Sequence, residues 1–162
     1  MIRKLSVLVL ALSLLFALTG CGGSAATGEK TETKTVTVTD AAGRTVTLKQ
    51  PIKSYAISTF DLIDFIIPLK GEEAFSMLKG VGDSGGKKSY DKIYEAKFPQ
   101  YKDQWKIISP HNAPFDAEAI LTAHPDVLIV NSVMQGHLHA MDIEAKLKDA
   151  GIALLLIDVP GT

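Results

Sequence analysis

The stretch FDAEAILTAHPDVLIVNSVMQGH, residues 115–137, decides the fold. Asp116 is placed to cap a short helix whose apolar positions are Ala119, Ile120 and Ala123, because a side-chain oxygen there accepts from amides the helix leaves open. Pro125 stops that helix, and its ring pushes His124 out of the right-handed helical region. Val127-Leu-Ile-Val130 follows as an unbroken aliphatic run rich in β-branched residues. Such a run suits a strand covered on both faces, as in a parallel sheet. Asn131 and Ser132 bring polar side chains to the strand's carboxyl end, outside which open α/β sheets bind their ligands. A second run, Ile152-Ala-Leu-Leu-Leu-Ile157, is entered from a helical segment, Met141–Ala150, through Gly151. Strand, helix, strand predicts a βαβ unit against which the rest of the chain is laid.

Moving back along the chain, Thr35–Asp40 and Arg44–Leu48 each alternate polar and apolar residues around Asp40-Ala-Ala-Gly43. This predicts a β-hairpin in which Val36 and Val38 share one face, as do Val46 and Leu48, ended by Pro51. Tyr55–Ile57 reads as a strand. Either hydroxyl of Ser58 and Thr59 is placed to cap a helix from Phe60 to about Ile67, with Asp61 near its positive end and Pro68 and Gly71 closing it. Met77–Val81 predicts another strand, followed by the loop Gly82–Gly86. Tyr90, Ile93, Tyr94 and Phe98 recur at helical spacing over residues 89–98. Lys106–Ile108 predicts a further strand before the loop Pro110–Pro114.

The first twenty residues have a different character. Arg3 and Lys4 precede an apolar run, Leu5 to Leu18, and the exit is Leu18-Thr-Gly-Cys21. A basic start, a short apolar core and a small-residue exit form a secretory signal peptide over residues 1–20. The run is short for a membrane span, which needs about 20 apolar residues. The exit resembles the bacterial lipobox, which implies that Cys21 is lipidated and anchors an exported protein. Cys21 is the sole cysteine, so no intrachain disulfide forms. Residues 21–34 are rich in Gly, Ser, Thr, Ala and charge, and read as a flexible tether. Loss of the leader leaves 15 basic against 18 acidic residues, a balance that offers nothing to a nucleic-acid partner. Residues 35–162 amount to one domain.

Three motifs point elsewhere and are weighed on chemistry. Gly82-Asp-Ser-Gly-Gly86 matches a serine-protease nucleophile segment, but Ser84 precedes His124, against the His, Asp, Ser order of those enzymes, and the patterning is not all-β. The same loop lacks the Gly-Lys-Ser/Thr ending of a phosphate-binding loop, since Lys88 separates Lys87 from Ser89. His137 and His139, with His111 upstream and Asp142 nearby, form the alternative of a bare metal-ion site; two imidazoles at i, i+2 share a face only on a strand. Tyr90 and Tyr94 read as packing residues rather than metal ligands.

The order of parts resembles a known family. The Asp40-Ala-Ala-Gly-Arg44 hairpin, the Lys79-Gly-Val-Gly82 strand, FDAEAILTAHPDVLIV and LKDAGIALLLIDVP together are similar to the amino-terminal lobe of the periplasmic binding proteins of ABC importers for iron–siderophore, haem and cobalamin. The resemblance covers about residues 35 to 160. It implies an α/β fold: a short, mainly parallel sheet flanked by helices and preceded by the hairpin, one lobe of a two-lobed protein with its ligand in the cleft between lobes. It implies a binding protein rather than an enzyme, with no cofactor, a metal-chelate ligand, and an ABC permease and the membrane as partners. The second lobe would lie beyond Thr162, so the sequence reads as a fragment expected to bind poorly alone. Ligand contacts are expected at the strands' carboxyl ends: Ser58, Thr59, Gly82, Asp83, Ser84, Asn131 and Ser132, with His137 a further candidate. In these importers one surface Glu from each lobe docks on permease arginines; the position that matches here is Glu118.

Overall fold

A computed structural model describes the backbone of residues 34–82, 86–109, 113–132 and 136–159, and the side chains there except at 86, 87, 89, 91, 136 and 137. The expected signal peptide, Cys21, all of the expected tether but Lys34, and Asp83, Ser84 and His111 lie outside the described residues, as does the His137 side chain.

Strands β1 (Lys34–Thr39) and β2 (Thr45–Gln50) form the expected hairpin. Its register pairs Val36 with Leu48 and Val38 with Val46. Then come β3 (Tyr55–Ile57), α1 (Ile63–Lys70), α2 (Glu73–Met77), β4 (Leu78–Gly82), α3 (Gly86–Ile93), β5 (Lys106–Ser109), α4 (Ala117–Ala123), β6 (Val127–Asn131), α5 (Gly136–Asp149) and β7 (Ala153–Ile157). Short 3-10 turns cover Phe60–Leu62 and Pro99–Tyr101. The sheet runs β5-β4-β3-β6-β7 and every neighbouring pair is parallel.

The aliphatic runs divide between two cores by simple alternation. Tyr55, Ile57, Val127 and Ile129 face one core with Phe60, Phe75, Tyr90 and Trp105. Ala56, Leu128, Val130, Leu154 and Leu156 face the other, beneath Ile120 of α4 and Ala140, Ile143 and Leu147 of α5. That is why β6 shows no polar alternation: it lies between β3 and β7 with both faces covered. Full burial of a residue such as Leu128 contributes about 1.5–3 kcal/mol.

Asp116 caps α4 as expected, its Oδ1 accepting from the Ala119 amide at 3.0 Å. His124 leaves the right-handed region for the left-handed one (φ 45°, ψ 58°), a small penalty that lets the chain turn straight into β6. Asp126 then binds the entrance of β3, accepting from the Lys53 and Ser54 amides at 2.7 and 2.9 Å.

Four expectations change. Neither Ser58 nor Thr59 caps the following helix; Thr59 makes no side-chain cap bond, and the segment opens with a 3-10 turn. Pro68 does not close α1 but lies inside it, exposed, where water can serve the carbonyl that its missing N–H forgoes; Gly71 ends the helix instead. Helix α3 runs Gly86–Ile93 rather than 89–98, and Ile93 is exposed. Helix α5 starts at Gly136 rather than Met141, and α2 went unrecognised because five residues are too few for periodicity.

Candidate functional site: the carboxyl ends of β3, β4 and β6

From β3 the chain winds through β4 to β5 on one side, then returns through β6 to β7 on the other. The reversal places a topological switch point between β3 and β6, the position at which open α/β sheets bind their ligands.

Five of the expected contact residues meet there. Ser58 and Thr59 follow β3, Gly82 ends β4, Asn131 ends β6 and Ser132 follows it. The Ser58 amide donates to the Ile129 carbonyl at 2.9 Å, and Ser58 Oγ accepts from the Asn131 amide at 3.0 Å. The Ser132 amide donates to the Ile157 carbonyl at 2.7 Å, which fixes the start of the loop after β6. Gly82 lies against Ser58 so closely that a Cβ there would sit 1.7 Å from the Ser58 carbonyl oxygen. Ser58, Thr59, Asn131 and Ser132 are all half-buried. They supply neutral hydrogen-bonding groups on a fixed strand edge, an arrangement suited to binding.

Behind this edge, Phe60 continues from Thr59 into an aromatic cluster. Its ring lies 5.8 Å from Trp105 and 6.4 Å from Tyr90, and Tyr90 meets Trp105 edge-on at 4.8 Å. Phe75 stacks on Tyr101 at 5.7 Å. Tyr90 is buried and donates to the Phe98 carbonyl. Tyr94 donates to Asp64 at 2.5 Å; burial, the bond and the Asp64 charge push its phenol up to about 12. Tyr90 is buried in this cluster and Tyr94 packs against Phe60 and Phe75, as expected of packing residues. Sequence spacing gave no sign of this cluster's extent, because its members come from five separate segments.

Glu118 is exposed in the first turn of α4. Because α4 returns from the end of β5, its start lies on the same side of the sheet as the switch point, and the Asp116 amide donates to the Ile108 carbonyl at 2.8 Å. Residues 137 and 139 lie on one helix, where positions two apart do not share a face, so the strand geometry that would have joined two imidazoles is not realised. Among the described residues no group of three or more His, Cys, Asp or Glu is arranged to hold a metal ion. Among them, too, no helix is long and apolar enough to cross a membrane.

No protein-family model matches the chain, and no curated protein matches it. Solved structures do. A periplasmic solute-binding protein from Veillonella parvula DSM 2008 is 25% identical, with a TM-score of 0.64 over 80% of this chain and 36% of its own. The TroA-like periplasmic binding protein FepB from Veillonella parvula is 25% identical, with a TM-score of 0.63 over 76% of this chain and 36% of its own. The molybdate periplasmic binding protein MolA of Haemophilus influenzae is 20% identical, with a TM-score of 0.57 over 76% and 34%. The chain therefore spans about a third of the length of the structures it matches. Its described residues have the fold of part of a lobe of the periplasmic solute-binding proteins, the group that its sequence resembles.

Proposed function

We propose that this chain belongs to a lipid-anchored, extracytoplasmic solute-binding protein of an ABC importer, which captures an iron–siderophore or a related metal chelate such as haem or cobalamin and delivers it to the permease. The observation that carries this reading is the gathering of Ser58, Thr59, Asn131 and Ser132 at the switch point of a sheet with a solute-binding fold. The chemistry is binding, not catalysis. MolA carries molybdate on the same fold, so the chelate class rests on the sequence resemblance and not on the fold. The test is fluorescence quenching of Trp105 and the tyrosines by ferric siderophores, haem and cobalamin, on the full-length gene product. Trp105 is a suitable reporter because its ring contacts lead through Phe60 to the switch-point loop. Micromolar or tighter quenching by one class is expected; a flat response across the panel counts against the reading.

Delivery carries its own prediction. Glu118 at the positive end of α4 gains typically 0.3–1 kcal/mol from the helix dipole without any partner. Docking adds directional, charge-assisted pairing with arginines of the permease. Glu118→Gln in the full-length protein is therefore expected to keep near-normal solute affinity while uptake falls and permease association weakens, most visibly at low salt. Normal uptake and normal permease affinity would leave the helix-end role alone.

The anchor is tested separately. A single acyl chain holds only marginally, so stable attachment through Cys21 needs more than one. Correctly processed Cys21→Ser protein is expected in the soluble fraction; if it still fractionates with membranes, the anchor is misassigned.

A further inference from the structure

Strand β3 ends at Ile57, yet β6 beside it continues to Asn131. The register pairs Ile57 with Ile129. Continued straight, a parallel ladder would place the Ser58 amide on the Ile129 carbonyl and the Asn131 amide on the Ser58 carbonyl. The first bond forms, at 2.9 Å. The second does not: the Asn131 amide donates to Ser58 Oγ instead, at 3.0 Å. The Ser58 carbonyl faces Gly82 of β4, in the space where any Cβ would stand 1.7 Å away. The serine hydroxyl thus replaces its own backbone carbonyl in the ladder. The main chain is free to turn toward β4 and the 3-10 segment, while β6 keeps its last hydrogen bond.

We propose that Ser58 is a positioning residue of the cleft. It acts on the solute through Asn131, whose place at the switch point it fixes, and does not itself touch the solute. This rests on the solute-binding reading and alters one part of it, since the sequence pointed to Ser58 as a contact. A hydroxyl offers one donor and two acceptor lone pairs, and here one lone pair is committed to Asn131. Alanine removes the acceptor. Threonine keeps it.

The test has two arms. The first is amide hydrogen exchange in the full chain without solute. One neutral hydrogen bond contributes about 0.5–1.5 kcal/mol, so Ser58→Ala is expected to speed Asn131 exchange about three- to tenfold relative to Leu128, and Ser58→Thr to restore it. Unchanged Asn131 exchange in Ser58→Ala overturns the proposal whether or not any solute is known. The second arm titrates the full-length gene product with haemin, read by Trp105 quenching. Ser58→Ala and Asn131→Ala are expected to weaken haemin alike, with the double variant no worse than either single one. Additive losses would make Ser58 a contact in its own right and overturn the proposal. Absence of haemin binding by the parent protein would count against haem as the solute, and the exchange arm would still decide the role of Ser58.

Discussion

Gly82→Ala is expected to destabilise the domain by at least about 3 kcal/mol, above the usual range for adding one methyl group to a packed site. The added Cβ would stand 1.7 Å from the Ser58 carbonyl oxygen and 2.7 Å from its carbonyl carbon. Both are backbone atoms, so no side-chain rotation relieves the clash. Either β4 moves away from β3, breaking the ladder in which Ile57 pairs with Val81, or the Ser58 peptide turns back. Turning it back displaces the hydroxyl that holds Asn131. Gly71 is the control. Nothing lies within 4 Å of a Cβ there, so only the backbone opposes a side chain; φ 57° with ψ −134° lies outside the left-handed helical region, in a part of the map kept almost entirely to glycine, and Gly71→Ala is expected to cost about 1–3 kcal/mol. At Gly80 a Cβ would meet Ile108 Cγ2 at 2.7 Å, a side-chain atom rather than backbone, but one on a fully buried β-branched residue that yields only if its χ1 turns. Among the three variants the urea unfolding midpoint should fall furthest for Gly82→Ala, whose clash is with backbone at 1.7 Å. A Gly82→Ala protein within 1 kcal/mol of the parent would show that the close approach at the switch point is not required.

The parts legible in the sequence were those set by local pattern. Asp116 and Pro125 bracket α4, and the runs at 127–130 and 152–157 name two strands of the parallel sheet, β7 at its edge with one face only half-buried. The alternation at 35–48 gave the hairpin and the residues that share a face, while the pairing of Val36 with Leu48 and Val38 with Val46 came from the structure. Strand ends are readable for the same reason, so Ser58, Thr59, Gly82, Asn131 and Ser132 could be named as neighbours before the sheet order was known. What could not be read was how they are bonded. The Ser58–Asn131 bond spans 73 residues and depends on β3 and β6 being adjacent, which no local pattern encodes. Pro68 in α1 and the short helix α2 failed for a different reason: tertiary packing of Ile63, Ala74 and Phe75 overrode weak local signals.

The second large effect concerns Asp40, the one buried charged residue among those described. Its Oδ1 accepts from the Ala42 and Arg44 amides at 3.0 and 2.9 Å, and its Oδ2 from Arg44 Nε and Nη2 at 2.8 and 2.6 Å. Arg44 also reaches Glu144 on α5 at 2.5 Å, while the Ala41 amide donates to the Leu156 carbonyl at 2.9 Å. The hairpin turn is thereby fastened to β7 and α5. Burial alone would raise the Asp40 pKa, but the Arg44 hydrogen bonds and charge outweigh it and hold the carboxyl below its usual value. Arg44→Met keeps the side-chain bulk and removes the cation, leaving Asp40 buried with only amide partners. Losing one partner of a buried pair costs about 3–5 kcal/mol. Asp40→Asn is expected to be milder, since an amide oxygen still accepts from the turn and Arg44 retains Glu144. The sign of the pH dependence separates charge from packing. In the parent protein the Asp40 pKa is lower folded than unfolded, so its stabilisation is full above about pH 4 and declines as pH falls through the folded value. In Arg44→Met the burial effect is no longer offset by a cation, so protonating Asp40 relieves the variant instead. The stability gap between the two, measured by urea unfolding, is therefore expected to be widest near pH 7 and to narrow steadily toward pH 3. A gap that stays constant over that range would assign the loss to packing of the Arg44 side chain and not to its charge.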